Sequence, residues 1–138
     1  MDIIAYLDWQ HAVSKDRLYD DDYWKDYDNK GVYALLRRSN GKLVVSYIGI
    51  SQSVVLRMRI HDNEKPTSKF KVADVTIKNG NLTRNRLELI EHILIYTMQP
   101  PMNKNKRFAP PNGNIRIYNE GAKSAFPRII NVKNGELL

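Results

Sequence analysis

The chain between residues 31 and 51 has an apolar-rich run on each side of a predicted turn. Two runs rich in β-branched and other apolar residues, Val32 to Leu36 and Leu43 to Ile50, flank the sequence SNGK. Asn-Gly between two such runs is the strongest short-range signal for a β-hairpin. The sequence therefore predicts a hairpin turning at Asn40-Gly41.

The length of the hairpin loop decides which face of the sheet each tyrosine occupies. A two-residue loop would place Tyr33 and Tyr47 on opposite faces, because side chains alternate along a strand. A three-residue loop, Ser39 to Gly41 with Gly41 left-handed, sets Tyr33 directly opposite Tyr47. We predict the three-residue loop.

Two helices and a third strand follow the hairpin. The segment from Ser53 to about Asn63 opens with serines that can cap a helix and continues with good helix formers. Residues 69–77 alternate and are rich in β-branched residues, which indicates a strand. A second, apolar-rich helix is predicted from an N-cap at Thr83 to a stop at Pro100.

These elements follow one another in the order β-β-α-β-α. They predict an α+β fold with a small three-stranded antiparallel sheet flanked by helices, carrying N- and C-terminal extensions. We assign residues 1–29 to an acidic, aromatic N-terminal extension, residues 30–105 to the core and residues 106–138 to a basic C-terminal extension.

Both extensions show weaker patterns. The first has tyrosines at four-residue steps, which predicts a short helix with one aromatic stripe; they are Tyr19, Tyr23 and Tyr27. The second has a basic segment rich in Pro, Asn and Gly, followed by two short strand-like runs at 115–118 and 128–132.

Charge divides unevenly along the 138 residues. Residues 1–30 hold eight Asp against four Lys or Arg, net −4, whereas residues 31–138 hold 7 acidic and 18 basic residues, net +11. A cationic body favours polyanions, and nucleic acid is the expected partner.

The chain has no cysteine, which removes disulfides, thiolate metal sites and cysteine nucleophiles. No apolar run is long enough for a membrane span, and we expect a cytoplasmic protein.

Several polar residues do not suit packing alone. Glu91 falls on the apolar face of the second predicted helix, where a carboxylate needs a hard cation or an arginine as partner. Arg57 and His61 are four residues apart and so share a face of the first predicted helix. Asn103 follows the two prolines closely. Taken singly, Glu91 is better explained as an edge glutamate that snorkels to water, and Arg57 and His61 as part of a solvated face.

Taken in order, these residues resemble the GIY-YIG endonuclease superfamily. The sequences GVY at 31–33 and YIG at 47–49 are similar to its two signatures, with valine replacing the usual isoleucine. Arg57 stands eight residues after the second signature's glycine, and His61 stands four later. The sequence EHILIYTMQPPMN, from Glu91 to Asn103, is similar to the family's glutamate helix and the Pro and Asn that follow it. The resemblance covers residues 31–103.

The resemblance implies metal-dependent hydrolysis of DNA phosphodiester bonds. It implies a single divalent ion, Mg²⁺ or Mn²⁺, with Glu91 as its one protein ligand, and a signature tyrosine as general base. Which tyrosine acts stays open. The implied catalytic residues are Tyr33, Tyr47, Arg57, His61, Glu91 and Asn103. We expect DNA contacts from Gly49, Lys104, Lys106 and Arg107.

Two other interpretations remain at this point. The same fold could serve as a non-catalytic nucleic-acid-binding or inhibitor module, and the chain could instead be a basic structural protein. The second of these predicts no clustering of the tyrosines, arginine and glutamate. Oligomeric state, sequence preference and the number of strands cut are open.

Overall fold

The computed structural model describes residues 2–24, 30–62, 64, 67–121 and 126–138. In these ranges seven strands alternate irregularly with four helices. The strands are β1 Ile3–Trp9, β2 Gly31–Ser39, β3 Lys42–Ser51, β4 Lys69–Ile77, β5 Ile115–Gly121, β6 Ile129–Lys133 and β7 Glu136–Leu137. The helices are α1 Lys15–Leu18, α2 Asp21–Trp24, α3 Val54–Asp62 and α4 Arg84–Met98.

All seven strands belong to one mixed sheet, curved as a half-barrel, in the order β3-β2-β4-β1-β5-β6-β7. Neighbouring strands are antiparallel except β1 and β5, which are parallel. The predicted three-stranded sheet with terminal extensions is therefore wrong. The segments outside residues 31–103 contribute four of the strands, because β1 and β5 continue the sheet beyond β4 and satisfy backbone groups that a free edge would expose. The boundaries at residues 29 and 105 stay a prediction.

The hairpin of β2 and β3 has a two-residue turn. Ser39 pairs with Lys42, and the residues between them, Asn40 and Gly41, both have positive φ (52° and 79°). That geometry fits a type I′ turn, whose twist matches the flanking strands. The predicted three-residue loop is wrong.

A β-bulge nevertheless brings the two tyrosines to one face. The register shifts between Leu35, which pairs with Tyr47, and Leu36, which pairs with Val45. Ser46 is the additional residue, and its hydroxyl donates to the Leu35 carbonyl over 3.1 Å. One added residue reverses the alternation of side chains beyond it. Tyr47 therefore shares a face with Tyr33, as diagonal neighbours rather than as a directly opposed pair.

Each face of the β2–β3 region packs against its own helices. Helix α4 covers a core that includes Val32, Ala34 and Ile48, whereas α3 covers a core that includes Tyr33 and Leu35. Residues 31–36 are all buried. The candidate catalytic residues lie on β2, β3, α3, α4 and the segment after α4. Strand β3 is at the edge of the sheet, where segments from both faces can meet.

The acidic N-terminal segment forms two four-residue helices beside α3 instead of one aromatic helix. Arg59 of α3 donates to the Leu18 carbonyl over 2.9 Å and pairs with Asp21 over 2.8 Å. Trp24 is buried, whereas Tyr19 is 47% exposed. The third predicted stripe residue, Tyr27, lies outside the described residues.

None of the described helices has the length and apolar character required to cross a membrane.

Candidate active site

Two phenols and an imidazole gather on the face of the sheet that α3 covers. The Tyr33 hydroxyl lies 3.0 Å from Nε2 of His61, which is buried in the last turn of α3. The ring centroid of Tyr47 lies 6.2 Å from that of Tyr33 and 4.9 Å from that of His61. Three sequence-predicted site residues, from three elements, thus contact one another.

The close approach of the Tyr33 ring explains why its cross-strand partner, residue 49, is a glycine. The two residues are cross-strand partners, and the Tyr33 ring lies over the glycine. An added Cβ would be 2.9 Å from Cε1 of Tyr33 and closer still to Cζ and the hydroxyl oxygen. Gly49 was predicted to contact DNA; it is buried, and its observed contribution is to admit the tyrosine ring.

Gly49→Ala is therefore expected to displace the Tyr33 ring, breaking its contact with His61 and destabilising the fold by about 1–3 kcal/mol through overpacking. Thermal unfolding and the NMR signals of the His61 ring would report the change. Gly80→Ala is the matched control, because a Cβ there meets only the end of the flexible Arg86 side chain. Equal stability of the two variants would contradict this explanation of Gly49.

Arg57 and Glu91 both affect the pKa values of Tyr33 and Tyr47. Burial is the largest cause raising the pKa of Tyr33, and the Arg57 guanidinium opposes it by charge and by hydrogen bonding. Burial also raises the pKa of Tyr47; the Glu91 carboxylate adds to that increase and Arg57 opposes it. Tyr47 and Glu91 also line the same cleft. The site therefore joins residues from β2, β3, α3 and α4.

The raised pKa of Tyr33 predicts a loss of stability in alkali. An unfolded tyrosine loses its proton near pH 10, whereas the folded protein holds the Tyr33 proton to higher pH. The contribution of Tyr33 to the free energy of unfolding should thus be constant below about pH 10. It should fall as the pH rises toward the pKa of Tyr33 in the folded protein. Urea unfolding between about pH 8 and 11 measures it. The slope should be shallower in Tyr33→Phe than in the wild type.

Glu91 projects from α4 into a cleft of about 380 Å³ at the edge of the sheet. The other lining residues are Tyr47, Ile95, Met102, Asn103, Lys104, Asn105 and Lys106. The Glu91 side chain is 15% exposed, and its Oε1 accepts from Nζ of Lys106 over 2.6 Å. Burying most of a carboxylate costs free energy unless a cation neutralises its charge. In this conformation Lys106 supplies the positive charge.

Asn103 holds the chain that closes the cleft. Its Oδ1 accepts from the backbone N–H of Ile48, and its Nδ2 donates to the carbonyl of the same residue, both over 2.8 Å. The backbone N–H of Met102 also donates to the Ser46 carbonyl over 2.9 Å. The segment after α4 is therefore bound to the bulged part of β3. This geometry makes Asn103 a residue that holds the loop against β3.

The three basic residues predicted to contact DNA follow Asn103 and differ in position. Lys104 is exposed on the wall of the cleft, and Lys106 pairs with Glu91. Arg107 is half-buried, with its guanidinium carbon 5.2 Å from the ring centroid of Phe108. All three belong to one loop at the cleft.

Sequence reasoning missed two contacts of the site. The Glu64 carboxylate lies 3.5 Å from Nδ1 of His61, the ring nitrogen opposite the one that faces Tyr33. Its spacing of three residues after His61 was the available signal. The Lys106–Glu91 pair had no signal in the sequence, because it depends on the path of the loop.

Comparison of the chain with protein-family models, curated proteins and solved structures gave no match. Among the residues that the structure describes, no three His, Asp or Glu side chains are grouped so that they could share a metal ion. A metal ion on Glu91 would therefore have fewer than three such side chains of the described residues as ligands.

Proposed function

We propose that this protein is a metal-dependent endonuclease of the GIY-YIG type that hydrolyses DNA phosphodiester bonds. The observation that carries the proposal is the cluster of Tyr33, Tyr47 and His61 beside the cleft that Tyr47 and Glu91 line together. Arg57 opposes the rise in the pKa of both phenols. Packing alone does not require charged side chains to act on one buried and one half-buried phenol. The cationic charge of residues 31–138, net +11, supports a polyanionic substrate.

The Glu91 carboxylate is a suitable ligand for a hard divalent ion. Mg²⁺ is commonly bound by one or two carboxylates together with waters and phosphate oxygens. The Lys106 ammonium occupies Oε1 of Glu91 in this structure, so a divalent ion would have to displace it. Bound there, a divalent ion would neutralise charge developing on the phosphate oxygens.

The phenols and the imidazole supply a route for the proton of the attacking water. The Tyr33 hydroxyl shares a hydrogen bond with Nε2 of His61. With its proton on Nδ1, toward Glu64, His61 can accept the Tyr33 proton at Nε2. The resulting Tyr33 phenolate, stabilised by Arg57, can take a proton from water as the water oxygen attacks the phosphorus. The bond from phosphorus to the leaving sugar oxygen then breaks, and that oxygen takes up a proton from solvent. A Tyr47 phenolate could act in the same way once its own proton has passed to solvent. The guanidinium also suits the negative charge of the phosphate.

Incubation of the protein with supercoiled, linear and single-stranded DNA tests the proposal directly. Nicked or linear product should form with Mg²⁺ or Mn²⁺ and be abolished by EDTA. Absence of cleavage on all three substrates with either ion, by protein that binds DNA, would overturn the nuclease proposal in favour of the second candidate.

That second candidate is a non-catalytic nucleic-acid-binding or inhibitor module. One contact favours it: the Lys106 ammonium takes the position at Glu91 where the ion would bind. Under this alternative the ion pair is structural, and the cleft binds phosphate without cutting it.

Lys106→Met distinguishes the two functions. Under the nuclease proposal, the variant should bind Mn²⁺ about tenfold more tightly, a gain of about 1.4 kcal/mol, because no ammonium competes for Glu91. Calorimetry or electron paramagnetic resonance of Mn²⁺ measures this without DNA. Lys104→Met, which removes an exposed lysine from the same cleft, is the control. Under the binding-module alternative, Mn²⁺ affinity is unchanged and the variant loses stability instead.

A further inference from the structure

Phe108 is the most exposed aromatic side chain among the described residues, at 78%, and it lies on the loop that enters the candidate active site. We call residues 104–110 the strap. Exposed phenyl rings are not unusual singly, so the manner in which this ring is held is what matters.

The strap is fixed to α4 on both sides of Phe108. The side-chain amide of Gln99 donates to the Arg107 carbonyl, and Nε2 of His92 donates to the Ala109 carbonyl over 2.7 Å. The backbone of Lys106 is left-handed (φ 69°), which is uncommon for a lysine. The backbone is thus held by hydrogen bonds at the residues before and after Phe108, and the phenyl ring is exposed to solvent.

One cationic side chain contacts the ring, and two more precede it in the strap. The Arg107 guanidinium lies over one side at 5.2 Å, Lys104 is exposed, and Lys106 reaches Glu91 from two residues before the ring. The backbone from Lys106 to Phe108 spans at most about 7 Å. This is about the length of two stacked base steps along one DNA strand. A nucleotide next to a phosphate in the cleft is therefore within reach of the ring.

We propose that Phe108 stacks on an unpaired base beside the scissile phosphate, so that the preferred substrate is DNA with an extrahelical or single-stranded nucleotide at the cut. The inference rests on the proposed nuclease function and narrows its substrate class. Aromatic rings flanked by cationic side chains are the usual platform for unpaired bases, whose faces are accessible only outside the duplex stack. The charge of the strap favours nucleic acid over a protein surface as the partner.

The test uses two duplexes of equal length in EDTA, which prevents metal-dependent cutting. One carries a single unpaired 2-aminopurine, and the other carries the same base fully paired. Wild-type protein should quench the fluorescence of the unpaired base and bind that duplex more tightly. Phe108→Ala should lose the quenching and weaken binding of the unpaired duplex about tenfold, while its affinity for the paired duplex changes less than about twofold.

Two further variants are controls for this measurement. Phe108→Trp should retain the quenching, because it keeps a stacking ring. Leu56→Ala removes another exposed apolar side chain, from α3, and should behave as wild type. Equal losses on both duplexes with Phe108→Ala, or no loss on either, would overturn the inference.

The inference and the proposed function fail in different ways. If the wild type cuts paired DNA and Phe108→Ala cuts it equally well without a preference for unpaired bases, the inference fails and the nuclease proposal stands. If no DNA is cut with any divalent ion, the nuclease proposal fails, and with it the claim of a cleavage substrate. A dimer in sedimentation that Phe108→Ala dissociates would assign the ring to a protein interface and overturn the inference.

Discussion

Glu91→Gln should reduce the rate of DNA cleavage at least about 1000-fold, a loss of about 4 kcal/mol of transition-state stabilisation. Glutamine keeps the size of the side chain and can still accept a hydrogen bond from Lys106, but it lacks the charge that attracts a divalent ion. The fold and DNA affinity should change little. Single-turnover cleavage of a labelled duplex, together with binding measured in EDTA, separates the two effects.

Glu88→Gln is the matched control for Glu91, because it removes the same charge from the same helix. Glu88 is more exposed, with 46% of its side chain accessible, and it pairs with Arg84 over 3.0 Å. Such a surface pair contributes at most about 1 kcal/mol, and cleavage should persist. If Glu91→Gln cleaves at the wild-type rate, or if the two variants lose activity equally, Glu91 is not the metal ligand.

Arg57→Ala should slow cleavage about 100- to 1000-fold with little change in stability. Arg57 is exposed, so its removal leaves no cavity in the core. Its loss takes away the charge that lowers the pKa of both tyrosines, so less phenolate is available at neutral pH. It also removes a donor for the phosphate. The pH–rate profile should shift to higher pH, which a purely structural role would not produce.

The matched control for Arg57 is Arg37→Ala, because this variant removes another exposed arginine, near the hairpin turn. It should retain the wild-type rate and pH profile, with at most a small change in salt dependence. Arg57→Lys should recover part of the rate, since it restores charge but not the planar guanidinium. A rate for Arg57→Ala within about twofold of wild type would remove the arginine from the mechanism.

The hairpin shows how far local sequence determines geometry. Asn40-Gly41 located the turn correctly, because few other residues accept positive φ. The prediction that Tyr33 and Tyr47 share a face is confirmed, although the predicted register is wrong. Alternation could not reveal the bulge at Ser46, since residues 31–36 are buried on both faces and show no difference between them.

The size of the sheet depended on pairings between distant segments. The buried residues Ala5, Leu7 and Trp9 alternate, which was a readable signal for β1. Its parallel pairing with β5, more than a hundred residues later, had no such signal. The short runs predicted after residue 114 are strands, but their attachment to β1 is what makes the sheet seven-stranded.

Local patterns in the chain were enough to locate the turn, α3, β4 and α4 and to give the order of the polar residues. These properties depend on φ preferences, side-chain periodicity and capping, which act over a few residues. Four features came from the folded molecule alone: the bulge, the hydrogen bonds of Asn103 to Ile48, the contact of Lys106 with Glu91 and the exposure of Phe108. Each of those depends on segments far apart in the chain, whose approach is set by packing of the whole sheet and helices.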